Sequence, residues 1–173
     1  MDLYLERGYE QTTVADIAQR AGLTARTFFR YFADKREVLF DGSAALQEQL
    51  VNAVRQAPES ATPMEAIAAA LDAAAAMLGG RHDLSRQRQA VIAANAELRE
   101  RELIKMATLS AALADGLRGR GVTDPEASLA AEAGIAVFRV AFDRWVSEPE
   151  DHDLSQVMRD SLEQLTALTG GAA

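Results

Sequence analysis

Apolar residues recur along this chain at helical intervals, and no stretch alternates convincingly with the period of a strand, so the pattern predicts helices and no sheet. Val14, Ile17, Ala18 and Ala21 share one face of a helix that starts at Thr13, where the hydroxyl and Asp16 can form a capping box. Gly22 ends that helix at a tight corner. Thr24 caps a second helix, Ala25 to about Phe32, which turns Phe28 and Phe32 inward and Arg26, Thr27, Phe29, Arg30 and Tyr31 mostly outward. Before these, Leu3 to Arg7 form an opening helix stopped by Gly8. Only about two turns precede that glycine, which predicts a first helix lacking its opening residues.

From Lys35, after an Asp34 cap, one amphipathic helix is expected to run to Gln56, with Val38, Leu39, Leu46, Leu50, Val51 and Val54 at helical spacing. It connects the N-terminal helices to the rest of the chain and stops before Pro58. Thr62-Pro63-Met64-Glu65 is a capped start for an alanine-rich helix that Gly79-Gly80 terminates near Leu78. His82 to Leu117 reads as one long helix or two consecutive ones breaking near Asn95, and Gly116, Gly119 and Gly121 as a flexible linker. Asp124 before Pro125 starts a helix reaching Val146 and ended by Pro149; Asp153 caps the last one, Leu154 to about Leu168, with Gly170-Gly171 closing the ordered part.

The last two helices carry wide apolar faces: Ala127, Ala130, Ala131, Gly134, Ile135, Phe138 and Phe142 on one, Leu154, Val157, Met158, Leu162, Leu165 and Leu168 on the other. Two readings are open. The faces close the monomer core, or Ala127, Ala131, Gly134, Ile135, Phe138, Val157, Met158, Leu162 and Leu165 form a four-helix bundle with a second copy.

Composition narrows the class. No cysteine is present, which excludes disulfides, thiolate metal sites and a thiol nucleophile. His82 and His152, the only histidines, lack any ligand spacing, so no metal is expected. Ser85, His82 and Asp83 are too close in sequence for a hydrolytic triad, and the three glycines lack the context of a nucleotide loop, so neither an enzyme nor a cofactor is expected. The alanine-rich run Ala66 to Gly80 is broken by Asp72 and too short to span a bilayer, and no signal peptide is visible; both fit a soluble cytoplasmic protein without a membrane partner.

The net charge of −8 at first argues against nucleic acid, but its distribution softens this. Residues 1–40 carry six bases against six acids, so the whole deficit lies outside them. Two short helices at a tight corner, the second with buried aromatics and outward arginines, fit a helix-turn-helix placed in the major groove, with Lys35 meeting a phosphate at the next helix end.

The run GYEQTTVADIAQRAGLTARTFFRYFADKREVL resembles the DNA-binding segment of the TetR family of bacterial transcriptional regulators, and DRWV with the final amphipathic helix resembles that family's C-terminal pair. The resemblance implies an all-α homodimer: a three-helix head over residues 1–41 binding double-stranded operator DNA, and a ligand-binding and dimerisation body over 42–173. It implies repression relieved by a small-molecule effector. Carried over by position, Thr13 contacts a backbone phosphate, Thr24, Arg26, Thr27 and Arg30 lie at or near base edges, and Phe29, Tyr31 and Lys35 contact sugar-phosphate. Members of the family usually have several more residues, often basic, before this segment. An apolar-ligand carrier that keeps the helix-turn-helix only as a structural subdomain is the alternative.

For the effector, Met64, Met77, Leu78, Met106, Leu109, Phe138, Phe142 and Trp145 are the candidate apolar lining, with His82, Asn95, Arg99 and Arg139 as candidate polar contacts.

Overall fold

In a computed structural model of the protein, residues 1–148 and 152–170 are described; Pro149 and Gly171, both assigned terminating roles above, lie outside them. Every regular element among the described residues is helical. Three short helices come first, α1 (Asp2–Arg7), α2 (Val14–Arg20) and α3 (Ala25–Phe28). A 3-10 turn (Glu37–Phe40) leads to α4 (Ser43–Gln56), followed by α5 (Pro63–Leu78), α6 (His82–Ala94), α7 (Ala96–Arg118), α8 (Asp124–Ser147) and α9 (Leu154–Gly170).

Local chemistry explains most boundaries. The Asp16 amide donates to Thr13 Oγ1 (3.2 Å) and the Thr13 amide to Asp16 Oδ2 (2.9 Å); Thr62 and Glu65 repeat this box, with Pro63 opening α5. Such caps each contribute roughly 1 kcal/mol. Gly22, at φ 69°, closes α2: its amide bonds the Gln19 carbonyl, and the Leu23 amide bonds that of Ala18. Asn95 is extended, separates α6 from α7, and donates from Nδ2 to the Val91 carbonyl at 2.7 Å.

Several boundaries differ from expectation. The helix expected from Lys35 to Gln56 is interrupted by the 3-10 turn and by Gly42 at φ 90°, a conformation that other residues adopt only with strain. On one continuous helix Leu39 and Leu46 would share a face. Instead Leu39 enters a cluster with Tyr4 and Tyr9 while Leu46 packs on the main core, and the chain turns between them. Gly79-Gly80 ends α5 at Leu78, as expected, and the chain continues as a 3-10 turn running into α6. Gly116 belongs to α7, not to a linker; its α-carbon faces Val54 of α4, and a β-carbon there would lie 3.4 Å from Val54 Cγ1. The cap of α8 is Thr123, one residue before Asp124.

The main core is built by α4, α5, α7, α8 and α9. Alanines on α5 (Ala66, Ala70, Ala74) are fully buried and let α8 come close: a β-carbon on Gly134 would stand 2.6 Å from Ile67 Cγ2. Of the residues expected to face a second copy, Ala127, Ala131, Gly134, Ile135, Phe138, Val157 and Met158 are buried within the chain itself, while Leu162 and Leu165 are half-buried at the edge of the same core. The apolar groups left outside on α8 and α9 are others: Leu129 (71% exposed), Val140 (62%) and Leu168 (83%).

A second, smaller core joins the N-terminal helices to the body. Tyr4, Tyr9, Leu39 and Phe40 pack with Val91, Ile92 and Leu98 of α6 and α7. Among the described residues no helix is long and apolar enough to cross a membrane.

Candidate nucleic-acid interface and ligand cavity

The second helix of the head is tighter than its sequence implies. Regular α geometry covers only Ala25–Phe28, after which the Arg30 and Tyr31 amides bond carbonyls three residues back before Phe32 closes the turn onto Phe28. Phe28 is buried, with its ring centroid 5.3 Å from that of Phe32 and 5.5 Å from that of Phe29. That anchor leaves Phe29 (57% exposed) and Tyr31 (68%) outside with Thr24, Arg26 and Arg30. Thr24 caps the helix through its hydroxyl, which accepts from the Thr27 amide at 3.2 Å and lies 3.0 Å from Thr27 Oγ1. Arg30 lies beside Tyr31, Cζ 5.8 Å from the ring centroid.

The cations of the head divide sharply. Arg7 pairs with Asp16 (3.3 Å), Arg20 with Glu6 (2.8 Å) and Arg36 with Asp34 (2.5 Å). Lys35, expected on a phosphate, is instead directed inward: Nζ donates to the carbonyls of Tyr9 (2.9 Å), Thr12 (3.2 Å) and Glu10 (3.4 Å), and sits 4.2 Å from the Tyr9 ring centroid. An ammonium has three donors, and here each has a carbonyl, so Lys35 staples the turn between α1 and α2 rather than meeting DNA. The Lys35 carbonyl in turn accepts from the Tyr4 hydroxyl at 2.7 Å; burial, and then the Asp34 charge, push that phenol up to about 12. The Thr13 hydroxyl is also committed, 2.6 Å from Asp16 Oδ2, as is its amide. Among the described residues only Arg26 and Arg30 of the head project without a carboxylate partner.

The body encloses a cavity of about 500 Å³ between α4, α6, α7 and α8. Its buried floor comes from Leu39, Phe40, Ile92 and Phe138; Phe138 stacks on Phe142 with centroids 5.9 Å apart. Leu84 and Leu103 stand exposed at the rim with Arg81, Arg99 and Arg139. Arg88 and Lys105 add two further cations, against the carboxylates of Asp41, Glu102 and Asp143, so the wall is locally positive in a chain of net charge −8. Residues 39–43, which connect head to body, form one side of it.

Of the expected lining, Met77, Leu78, Met106, Phe138 and Phe142 face the cavity, with Arg99 and Arg139 among the polar candidates. Met64, Leu109 and Trp145 do not, because they pack into the main core; the Trp145 indole donates to the His152 carbonyl at 2.9 Å. His82 lies edge-on to Trp145, its Nε2 2.9 Å from the Trp145 carbonyl, and Asn95 caps α6. Sequence reasoning missed Leu39, Phe40, Leu84, Arg88, Leu103 and Lys105.

A capped helix-turn-helix with two free arginines, carried on a helical body that holds its own ligand-sized chamber, defines the class: a helix-turn-helix transcriptional regulator. Residues 1–41 match the bacterial regulatory proteins of the tetR family, and residues 61–169 match the MftR C-terminal domain. The chain therefore belongs to the TetR family of bacterial transcriptional regulators. The HTH-type transcriptional regulator TcmR of Streptomyces glaucescens is 38% identical over 73 residues, which span 42% of this chain and only 32% of that protein. The fatty acid metabolism regulator protein of Bacillus subtilis is 25% identical over 174 residues, 96% of this chain and 90% of that one. The fold is shared with the solved structure of Bacillus subtilis FadR in complex with stearoyl-CoA, at 24% identity and a TM-score of 0.63 over 99% of this chain and 95% of the other.

Proposed function

We propose that the protein is a homodimeric repressor, with residues 1–41 reading operator DNA and the body responding to a long-chain acyl-CoA. The observation that carries this reading is the cavity: about 500 Å³, within the roughly 300–1,000 Å³ of small-molecule sites, apolar at the floor and arginine-bearing at the rim. An acyl chain suits the floor and the phosphates of coenzyme A suit Arg81, Arg99 and Arg139. The similarity to a regulator of fatty acid metabolism supports the same class of effector.

Thr24, Arg26, Thr27, Phe29, Arg30 and Tyr31 make the surface that enters the major groove. With so few free cations one head binds weakly, and two heads on one duplex supply the affinity. The outer faces of α8 and α9, carrying Leu129, Val140 and Leu168, are the surface assigned to the second copy.

The test is fluorescence anisotropy on a labelled duplex from upstream of the protein's own gene. Binding should weaken steeply with salt and reverse on adding palmitoyl-CoA but not coenzyme A alone. Salt-independent or absent DNA binding together with tight palmitoyl-CoA binding would establish the carrier instead.

A further inference from the structure

The groups that fasten the head to the body also line the cavity. Glu37, opening the 3-10 turn, accepts hydrogen bonds from Arg101 Nε at 2.6 Å and Lys105 Nζ at 3.2 Å. Arg88 Nε donates to the Leu39 carbonyl at 2.7 Å, its Cζ lies 5.0 Å from the Phe40 ring centroid, and its Nη1 is 3.3 Å from Glu102 Oε1. Arg88, Glu102 and Lys105 face the cavity; Glu37 and Arg101 do not. These ion pairs are part-buried, so solvent and salt screen them less than the surface pairs of the head. The hydrogen bonds from Arg101, joined by that from Lys105, hold the Glu37 carboxyl below the ordinary range despite partial burial.

We propose that Lys105 is the exchange point between effector and reading head: an anionic group entering the cavity takes the ammonium from Glu37, and the linker loses one of the two cations that hold Glu37. Arg88 stands beside it as the second cation the anion meets, already bonded to the linker at Leu39. The inference rests on the effector reading of the cavity. It has a consequence required by linkage: if the anion and Glu37 compete for one cation, removing the Glu37 charge tightens effector binding by the factor through which effector binding loosens the linker. A purely structural Glu37–Lys105 pair carries no such reciprocity.

The experiment is calorimetric titration of the full chain with palmitoyl-CoA, with hydrogen exchange of residues 36–46 and thermal melts as a check of folding. Glu37→Gln, which keeps shape and removes charge, should bind palmitoyl-CoA about five- to twentyfold tighter than the parent, and its linker amides should exchange faster without ligand. Lys105→Gln should bind at least about tenfold more weakly. In the parent, palmitoyl-CoA should speed exchange over residues 37–43. Unchanged or weaker palmitoyl-CoA binding by Glu37→Gln, with the parent binding normally, overturns the exchange and leaves the effector reading standing. No binding by the parent overturns both.

Discussion

The Lys35 ammonium stands 2.9 Å from the Tyr9 carbonyl oxygen and 4.2 Å from the centroid of the Tyr9 ring, so a cation that resembles a DNA contact in sequence is a staple inside the head. Lys35→Met keeps the stem and removes the charge. It should cost about 1–3 kcal/mol, read by denaturant unfolding followed by circular dichroism, as the carbonyls of Tyr9, Glu10 and Thr12 lose a charged donor. An undiminished stability would show the staple to be dispensable.

Arg30→Ala and Tyr31→Ala should each weaken operator binding at least tenfold, by the measure of anisotropy at fixed salt, and leave the melting temperature within about 2 °C because both side chains are exposed. Arg30→Ala should also relax discrimination among operator variants, since the family resemblance places that side chain at base edges. Lys35→Met should leave the slope of log affinity against log salt alone.

Charge placed on the outer face of α8 should separate protomers without unfolding them. Leu129→Glu with Val140→Glu is expected to give a helical monomer by sedimentation. Ile135→Asp or Phe138→Asp should unfold the chain instead, since both lie in the protomer core.

Gly134→Ala should destabilise by about 1–3 kcal/mol, since its new methyl would meet Ile67 at 2.6 Å. Pairing it with Ile67→Leu, which lacks the Cγ2 that the new methyl would meet, should recover part of the loss in a double-mutant cycle of urea midpoints.

Glu37 sets a pH dependence whose sign follows from its lowered pKa. Its contribution to stability is complete above the unfolded glutamate value of about 4.3 and is lost as pH falls through the lower folded value. Unfolding free energies of the parent and Glu37→Gln, followed from pH 7 downward, should therefore converge on the acid side of that range. Parallel curves would mean the carboxylate adds nothing to the fold.

The all-α class, the helix-turn-helix, the caps at Thr13, Thr24 and Thr62 and the break at Asn95 were legible in the chain, because each depends on residues within a turn or two of one another. Periodicity also identified the apolar faces of α8 and α9 correctly as faces. Whether α5 or a second copy covered them was decided by the close approach of Gly134 to Ile67, sixty-seven positions away in sequence. The same limit applied to the cations. Composition counts Lys35 with Arg26 and Arg30, and only the folded turn that brings Tyr9, Glu10 and Thr12 to its ammonium separates an internal staple from free charges. The linkage between Glu37 and Lys105, which ties the head to the cavity, joins helical segments sixty-eight residues apart and has no local signature at all.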